Sequence, residues 1–407
     1  GVGAGLMYWC VTEWAWYYDA PPFGAAPRSV EAAEWASTYG LFHWSFTAWA
    51  FYCLPAVAIA VPYYRKKLGV MRFSVSCHSF LAGREEGLRA RFIDFLFMIA
   101  LIGGAGTSLA FSAPMIAACI AWLFDIESGF ALQSGVMLFC VGVFAVSVWL
   151  GLKKGIKNLS DINLLLAYGL LLFVLVTGPT VFLLQTSVNG VGLLLANFVR
   201  MSFWTDPFTD SGFVESWTIF YWAWWVAFAP YVGMFVARIS RGRTIRQVIF
   251  GMLIFGSLGG WLYYMILGNY ALFLQLTGAL DFIDIMQRAD GNAAIVATLE
   301  SLPLAGGVIA VFALVSIIFS ATTYDSASYT LASSATRNLA AGEDPDRWHR
   351  IFWAFALGLL PVVLLYIGGN LRSIQVTLLI VSLPILFVGV LMSVSLVRTL
   401  RAVVNPS

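Results

Sequence analysis

Long hydrophobic runs dominate the chain, and polar residues gather in short intervals between them. Ten apolar segments stand out, at roughly 1–18, 42–64, 92–124, 130–152, 163–186, 214–237, 247–273, 302–330, 351–369 and 373–397. A helix needs about 20 such residues to cross a bilayer. None of the segments alternates with period two, so the pattern predicts helices and no sheet. The interval 187–213 is mixed, holds Trp204 and Pro207, and reads as an amphipathic helix on the membrane surface.

Lys and Arg orient these segments. Nineteen basic residues fall in one set of alternate intervals, from Arg65 and Lys66 through Arg238, Arg241, Arg243 and Arg246 to Arg398 and Arg401. Only Arg28, Arg200, Arg288 and Arg372 fall in the other set. The first set is cytoplasmic by the positive-inside rule, so the chain ends inside. Segments one to five then start inside and end outside, and segments six to ten start outside and end inside, the topology of an inverted repeat. The division expected is 1–186 for the first repeat, 187–213 for the connecting helix, 214–401 for the second repeat and 402–407 for a cytoplasmic tail.

Composition narrows the class. The chain is 60% hydrophobic and 11% charged, with a mean hydropathy of +0.84, which excludes a soluble globular domain and a disordered one. A net charge of +2, carried in short basic runs, gives no reason to expect a nucleic-acid partner. The five cysteines form no CxxC pair, and His43, His78 and His349 are too far apart in sequence for a local ligand pair. A membrane enzyme would need such a cluster, so no catalytic residue and no cofactor is expected. Glu13 and Asp94 lie near segment ends and read as interfacial or paired structural groups. No signal peptide is visible. The chain opens without Met, directly inside an apolar segment, which suggests an N-terminal truncation.

Four stretches could carry chemistry. Trp217, Tyr221, Trp224, Trp225 and Phe228 recur at helical spacing, an aromatic stripe carried through the middle of a segment. Lipid-facing stripes are aliphatic, with Trp and Tyr at the headgroups, so this face turns toward something other than lipid. Trp44, Trp49 and Tyr52 fall within an arc of roughly 140° of one helix. With Trp225 they could form a box for a quaternary ammonium group, at about 0.5–2 kcal/mol per cation–π contact; an interfacial belt with core packing is the alternative. Gly1, Gly3 and Gly5 either free backbone groups for a substrate or let helices pack closely. Thr322, Thr323 and Asp325 lie mid-segment, where hydroxyls could hold a sodium ion or simply bond back to the preceding turn.

Taken together, WTIFYWAWW followed by PYVGMFVARISRGRT, the GVGAG opening and the Trp44–Tyr52 stretch resemble the betaine/choline/carnitine transporter family over nearly the whole chain. The resemblance implies an all-α polytopic membrane protein with the LeuT-type 5+5 inverted repeat, twelve spans of which this chain would start in the third, and a homotrimer in the bacterial inner membrane. It implies secondary active import of a zwitterionic onium osmolyte such as glycine betaine, carnitine or dimethylsulfoniopropionate. Trp44, Trp49 and Tyr52 match the family's aromatic box, Trp225 its partner from the later helix, and Trp224 the neighbouring aromatic. Phe228 stands where Trp is often found. Gly1, Val2, Gly3 and Gly5 match the glycine motif, and Gly5 where choline carriers tend to have an acid favours a substrate bearing its own carboxylate.

Thr322 and Thr323 match the hydroxyl pair that binds sodium in coupled members, with the carbonyls of Phe319 and Val2 as further ligands. Leu101 and Ala105 stand where the hydroxyls of a second sodium site would be. The arginine of sodium-independent exchangers has no counterpart between Phe95 and Phe124, which carry no charge. Sodium is thus expected as coupling ion. The alternatives are a sodium-independent substrate/product exchanger and a non-transporting osmolyte receptor.

Overall fold

The structure, a computed structural model, describes residues 3–65, 72–81, 83–84, 86–149, 153–336, 343–366 and 371–404. The described residues form helices and no strand. In order these begin with α1 (Gly3–Asp19), α2 (Val30–His43), α3 (Phe46–Arg65), α4 (Leu88–Phe124), α5 (Phe130–Trp149), α6 (Lys153–Thr177), α7 (Thr180–Phe203) and α8 (Phe220–Ile239). The chain continues through Ile245–Thr277, two short helices, Ala305–Ala335, Arg347–Tyr366 and Leu371–Val404. Eight helices among the described residues are long and apolar enough to cross a membrane. Backbone groups in hydrocarbon must be satisfied within their own segment, which is why apolar runs of this length settle as helices.

Three local features depart from simple periodicity. The apolar run expected to continue from 163 to 186 breaks at Gly178-Pro179, and α7 starts at Thr180 rather than near 187. Proline lacks the N–H that the ladder needs and pushes the residue before it out of helical geometry. The segment expected over 42–64 is also broken: α2 ends at His43, Trp44 has φ −106° and ψ 22°, and α3 starts afresh at Phe46. Trp44 therefore does not share one continuous helix with Trp49 and Tyr52, and the single-face arc assumed for the three fails. Wide π-helical turns occur at Val214–Ile219, just before α8, and at Met252–Gly256 and Tyr264–Gly268 within Ile245–Thr277.

The chain divides into two compact units. One comprises Gly1–Ser45, Ser108–Ile219 and Ser257–Thr323; the other comprises Phe46–Thr107, Phe220–Gly256 and Tyr324–Ser407. They interleave along the chain and are a different division from the two expected repeats. In the first unit α1 and α2 enclose an aromatic interior. Tyr17 sits 5.2 Å from Trp217 and 5.7 Å from Tyr39, edge-on or tilted, and all three rings are buried. One face of α7 in this unit leaves Val181, Leu184, Val188, Leu195 and Val199 exposed, an apolar stripe suited to acyl chains.

In the second unit α3 lies along α8. The close approach is made at Gly233, where an added Cβ would stand 2.6 Å from Cβ of Pro55 and 2.9 Å from the backbone nitrogen of Ala56. Neither a proline ring nor backbone can yield, so Gly233→Ala is expected to destabilise the protein by about 1–3 kcal/mol through overpacking. Thermal unfolding of purified protein checks this, and an unchanged melting temperature would contradict the packing. At the far end of the same pair the Tyr64 hydroxyl donates to the carbonyls of Ala237 and Arg238, at 3.1 and 3.3 Å. Elsewhere in this unit Asp94 is buried and accepts from the Ser74 amide (2.8 Å) and hydroxyl (3.0 Å), a paired structural group.

Candidate functional site

The aromatic stripe that runs from the π-helical turn at Trp217 into α8 is buried. Trp217, Tyr221, Trp224, Trp225 and Phe228 are all buried, so the face does look away from lipid. In the second unit three of the expected box residues come together. Trp49 and Tyr52, one turn apart on α3, have ring centroids 5.5 Å apart with planes at 90°. Tyr52 and Trp225 are 6.2 Å apart at 85°. The Tyr52 hydroxyl is buried and has no hydrogen-bond partner among the described residues. An orphaned hydroxyl of this kind costs free energy unless a ligand or water meets it.

The rings of this cluster are held by the helices around them. Trp224 stacks on Trp225 at 5.3 Å with planes only 8° apart, and its indole N–H donates to the Gly104 carbonyl of α4 at 3.3 Å. Tyr221 also lies near-parallel to Trp225, at 5.7 Å and 27°, and the two stacks together fix the orientation of Trp225. Phe228 packs on the same glycine: a Cβ at Gly104 would lie 2.8 Å from its ring. Trp49 lies against Gly256, where an added Cβ would stand 2.2 Å from the indole. Both glycines are thus needed for want of a side chain.

Trp44, the fourth expected box residue, belongs to the first unit. There it is part of a polar network that sequence reading missed. Glu13 of α1 and His43 at the end of α2 have no exposed surface. One carboxylate oxygen of Glu13 accepts from the Tyr17 hydroxyl (2.5 Å) and faces Nδ1 of His43 (3.2 Å). The other accepts from the Trp44 indole N–H (3.2 Å) and from the Tyr264 hydroxyl. Nε2 of His43 meets the Thr218 hydroxyl at 3.2 Å. An imidazole with its proton on Nδ1 fits these contacts, with Nε2 accepting from Thr218; the tautomer is assigned from the network. Glu13 is therefore a buried hub and not an interfacial group. The signal available in sequence was an acid inside an apolar segment, which is expensive without partners.

The glycine motif and the hydroxyl pair also lie in the first unit. Gly1 and Val2 fall outside the described residues. Gly3 begins α1 and Gly5 is buried within it. A Cβ at Gly3 would stand 2.5 Å from the Phe319 ring, so close packing is one use of this motif. The Phe319 carbonyl accepts from the hydroxyls of Thr322 (3.0 Å) and Thr323 (2.8 Å). Three oxygens thus converge, with both hydroxyls bonded back to the preceding turn. Asp325 lies in the second unit and pairs with Arg350 at 2.7 Å, which gives it a partner of its own.

Comparison with known proteins agrees with this helical, membrane-spanning arrangement. A family described as BCCT, betaine/carnitine/choline family transporter, matches residues 1–404. The uncharacterized transporter YeaV of Escherichia coli (strain K12) is 34% identical over 388 residues, which are 95% of this chain and 81% of that protein. A carnitine transporter of Acinetobacter baumannii is 32% identical over 401 residues, 98% of this chain and 73% of that protein. These relatives are carriers and not enzymes. With the match running almost end to end, the chain belongs to the betaine/carnitine/choline transporter family, multi-pass membrane proteins that move a small molecule across the bilayer.

Proposed function

We propose that this chain imports a zwitterionic onium compound, of the betaine or carnitine kind, in symport with sodium. The observation that carries the proposal is the Trp49–Tyr52–Trp225 cluster, in which the Tyr52 ring stands nearly perpendicular to both indoles and its buried hydroxyl has no partner among the described residues. Aromatic faces attract a methylated cation that cannot donate hydrogen bonds, and a half-enclosed cluster excludes the water that would compete. Similarity to a carnitine transporter supports the same substrate class. Trp44, Trp224 and Phe228 are assigned to the site on the resemblance, as are the backbone groups of Gly1, Val2, Gly3 and Gly5 for the carboxylate. Thr322, Thr323 and the carbonyls of Phe319 and Val2 would hold sodium as co-substrate. A homotrimer in a bacterial plasma membrane belongs to the same reading.

One observation favours a second reading. Both threonine hydroxyls are already satisfied by the Phe319 carbonyl, so the helix does not require an ion there, as a sodium-independent exchanger would have it. Uptake of labelled glycine betaine, carnitine and dimethylsulfoniopropionate into proteoliposomes, with and without an inward sodium gradient, separates the two. Symport predicts accumulation of at least one of them only with the gradient. Counterflow at equal rates without sodium would replace symport by exchange, and uptake of none of the three would remove the substrate class.

A further inference from the structure

The arginines that follow α8 satisfy the positive-inside rule, yet in the second unit they also surround a cavity that the transport reading does not use. It has a volume of about 690 Å³ and lies at the basic, cytoplasmic ends of α3 and α8. Its mouth carries Arg65, Arg243 and Arg246, and no carboxylate among the described residues lines it. None of these three arginines has an ion-pair partner among the described residues. The wall behind them is apolar, built from Ala56, Val57, Ala60 and Val61 of α3, with Val248 and Leu400 opposite.

The mouth is also locally ordered. The Tyr64 hydroxyl ties α3 to the end of α8. Gly242, at φ +81°, makes the turn that brings Arg243 round, closed by the Arg243 amide donating to Ser240 at 3.0 Å. Thr244 then starts the next helix with a reciprocal cap to Gln247, at 3.0 and 3.2 Å. Three uncompensated guanidinium groups above an aliphatic trough demand an amphipathic anion. A small hydrophilic anion would leave the trough wet, and a neutral lipid would leave the charges unanswered.

We propose that this cavity is a binding site for an anionic phospholipid of the cytoplasmic leaflet, its phosphate among Arg65, Arg243 and Arg246 and an acyl chain along α3. Basic pockets between membrane helices on that side are suited to such headgroups. The purified chain, titrated in detergent with dioleoyl phosphatidylglycerol and separately with dioleoyl phosphatidylcholine, is read by native mass spectrometry. Phosphatidylglycerol is expected to bind about a hundred-fold more tightly, and Arg65→Gln, Arg243→Gln and Arg246→Gln each to weaken it about five-fold. Ala60→Phe, which fills the trough without touching a charge, is expected to weaken it too. Arg288→Gln, at an exposed arginine paired with Asp284 in the other unit, is expected to leave it unchanged.

All three mouth arginines are exposed, so these single variants keep the fold, which monodisperse elution verifies. Equal phosphatidylglycerol affinity in the wild type and all three variants would overturn the proposal. So would displacement of the lipid by millimolar inorganic phosphate, which would make the site one for a free anion. Neither result depends on what the protein carries across the membrane.

Discussion

Trp225→Leu is expected to raise the KM for an onium substrate about thirty-fold and to leave Vmax within about two-fold, the loss of one desolvated cation–π contact of about 2 kcal/mol. Trp225 is buried, stands nearly perpendicular to Tyr52, and is held by stacking with Trp224 and Tyr221. Leucine keeps the apolar volume and removes the electron-rich face. A neutral substrate analogue, with tert-butyl in place of trimethylammonium, makes the test specific. The wild type should prefer the cation, and the variant should lose most of that preference. Equal discrimination in both would show that the ring contributes shape and not electrostatic attraction, and would end its role as a cation site.

Glu13→Ala is expected to be more damaging to the fold, by about 3–5 kcal/mol, because it strands buried partners that no water can reach. The indole of Trp44, the hydroxyls of Tyr17 and Tyr264 and the imidazole of His43 all lose their common acceptor. Glu13→Gln keeps an oxygen but turns an NH2 group toward donors, so about 1–3 kcal/mol is expected for it. Tryptophan fluorescence during thermal unfolding of the detergent-solubilised protein reads both. Melting temperatures within a degree or two of the wild type would mean that the network contributes little. The same carboxylate accepts from the Trp44 indole, so the destabilisation caused by Glu13→Gln is expected to shrink when Trp44 is already Phe.

What could be read from the sequence follows from which forces act locally. The long helices and the inward-facing stripe of α8 were legible because hydrophobic periodicity alone decides them. Gly178-Pro179 marks a stop, although hydropathy runs unbroken across it. The break at Trp44 has no glycine or proline to announce it. It coincides with side-chain bonds made far away in sequence, from the Trp44 indole to Glu13 and from His43 to Thr218. The π-helical turns are equally silent, since one extra residue per turn leaves composition unchanged. Trp49, Tyr52 and Trp225 were grouped by chemistry and do converge in the second unit; the face assumed for Trp44 depended on a helix that ends before it.

The interleaving of the two compact units bears on how such a protein can be made and dissected. The chain passes from one unit to the other after residues 45, 107, 219, 256 and 323, so each is sewn from three separate stretches. No single cut releases either as a half-protein. During synthesis the first cannot close until Thr323 has left the ribosome, when most of the second is already in the bilayer waiting for its last helices. Both must therefore ripen together, and partial assemblies with unsatisfied faces are the species that quality-control proteases would meet.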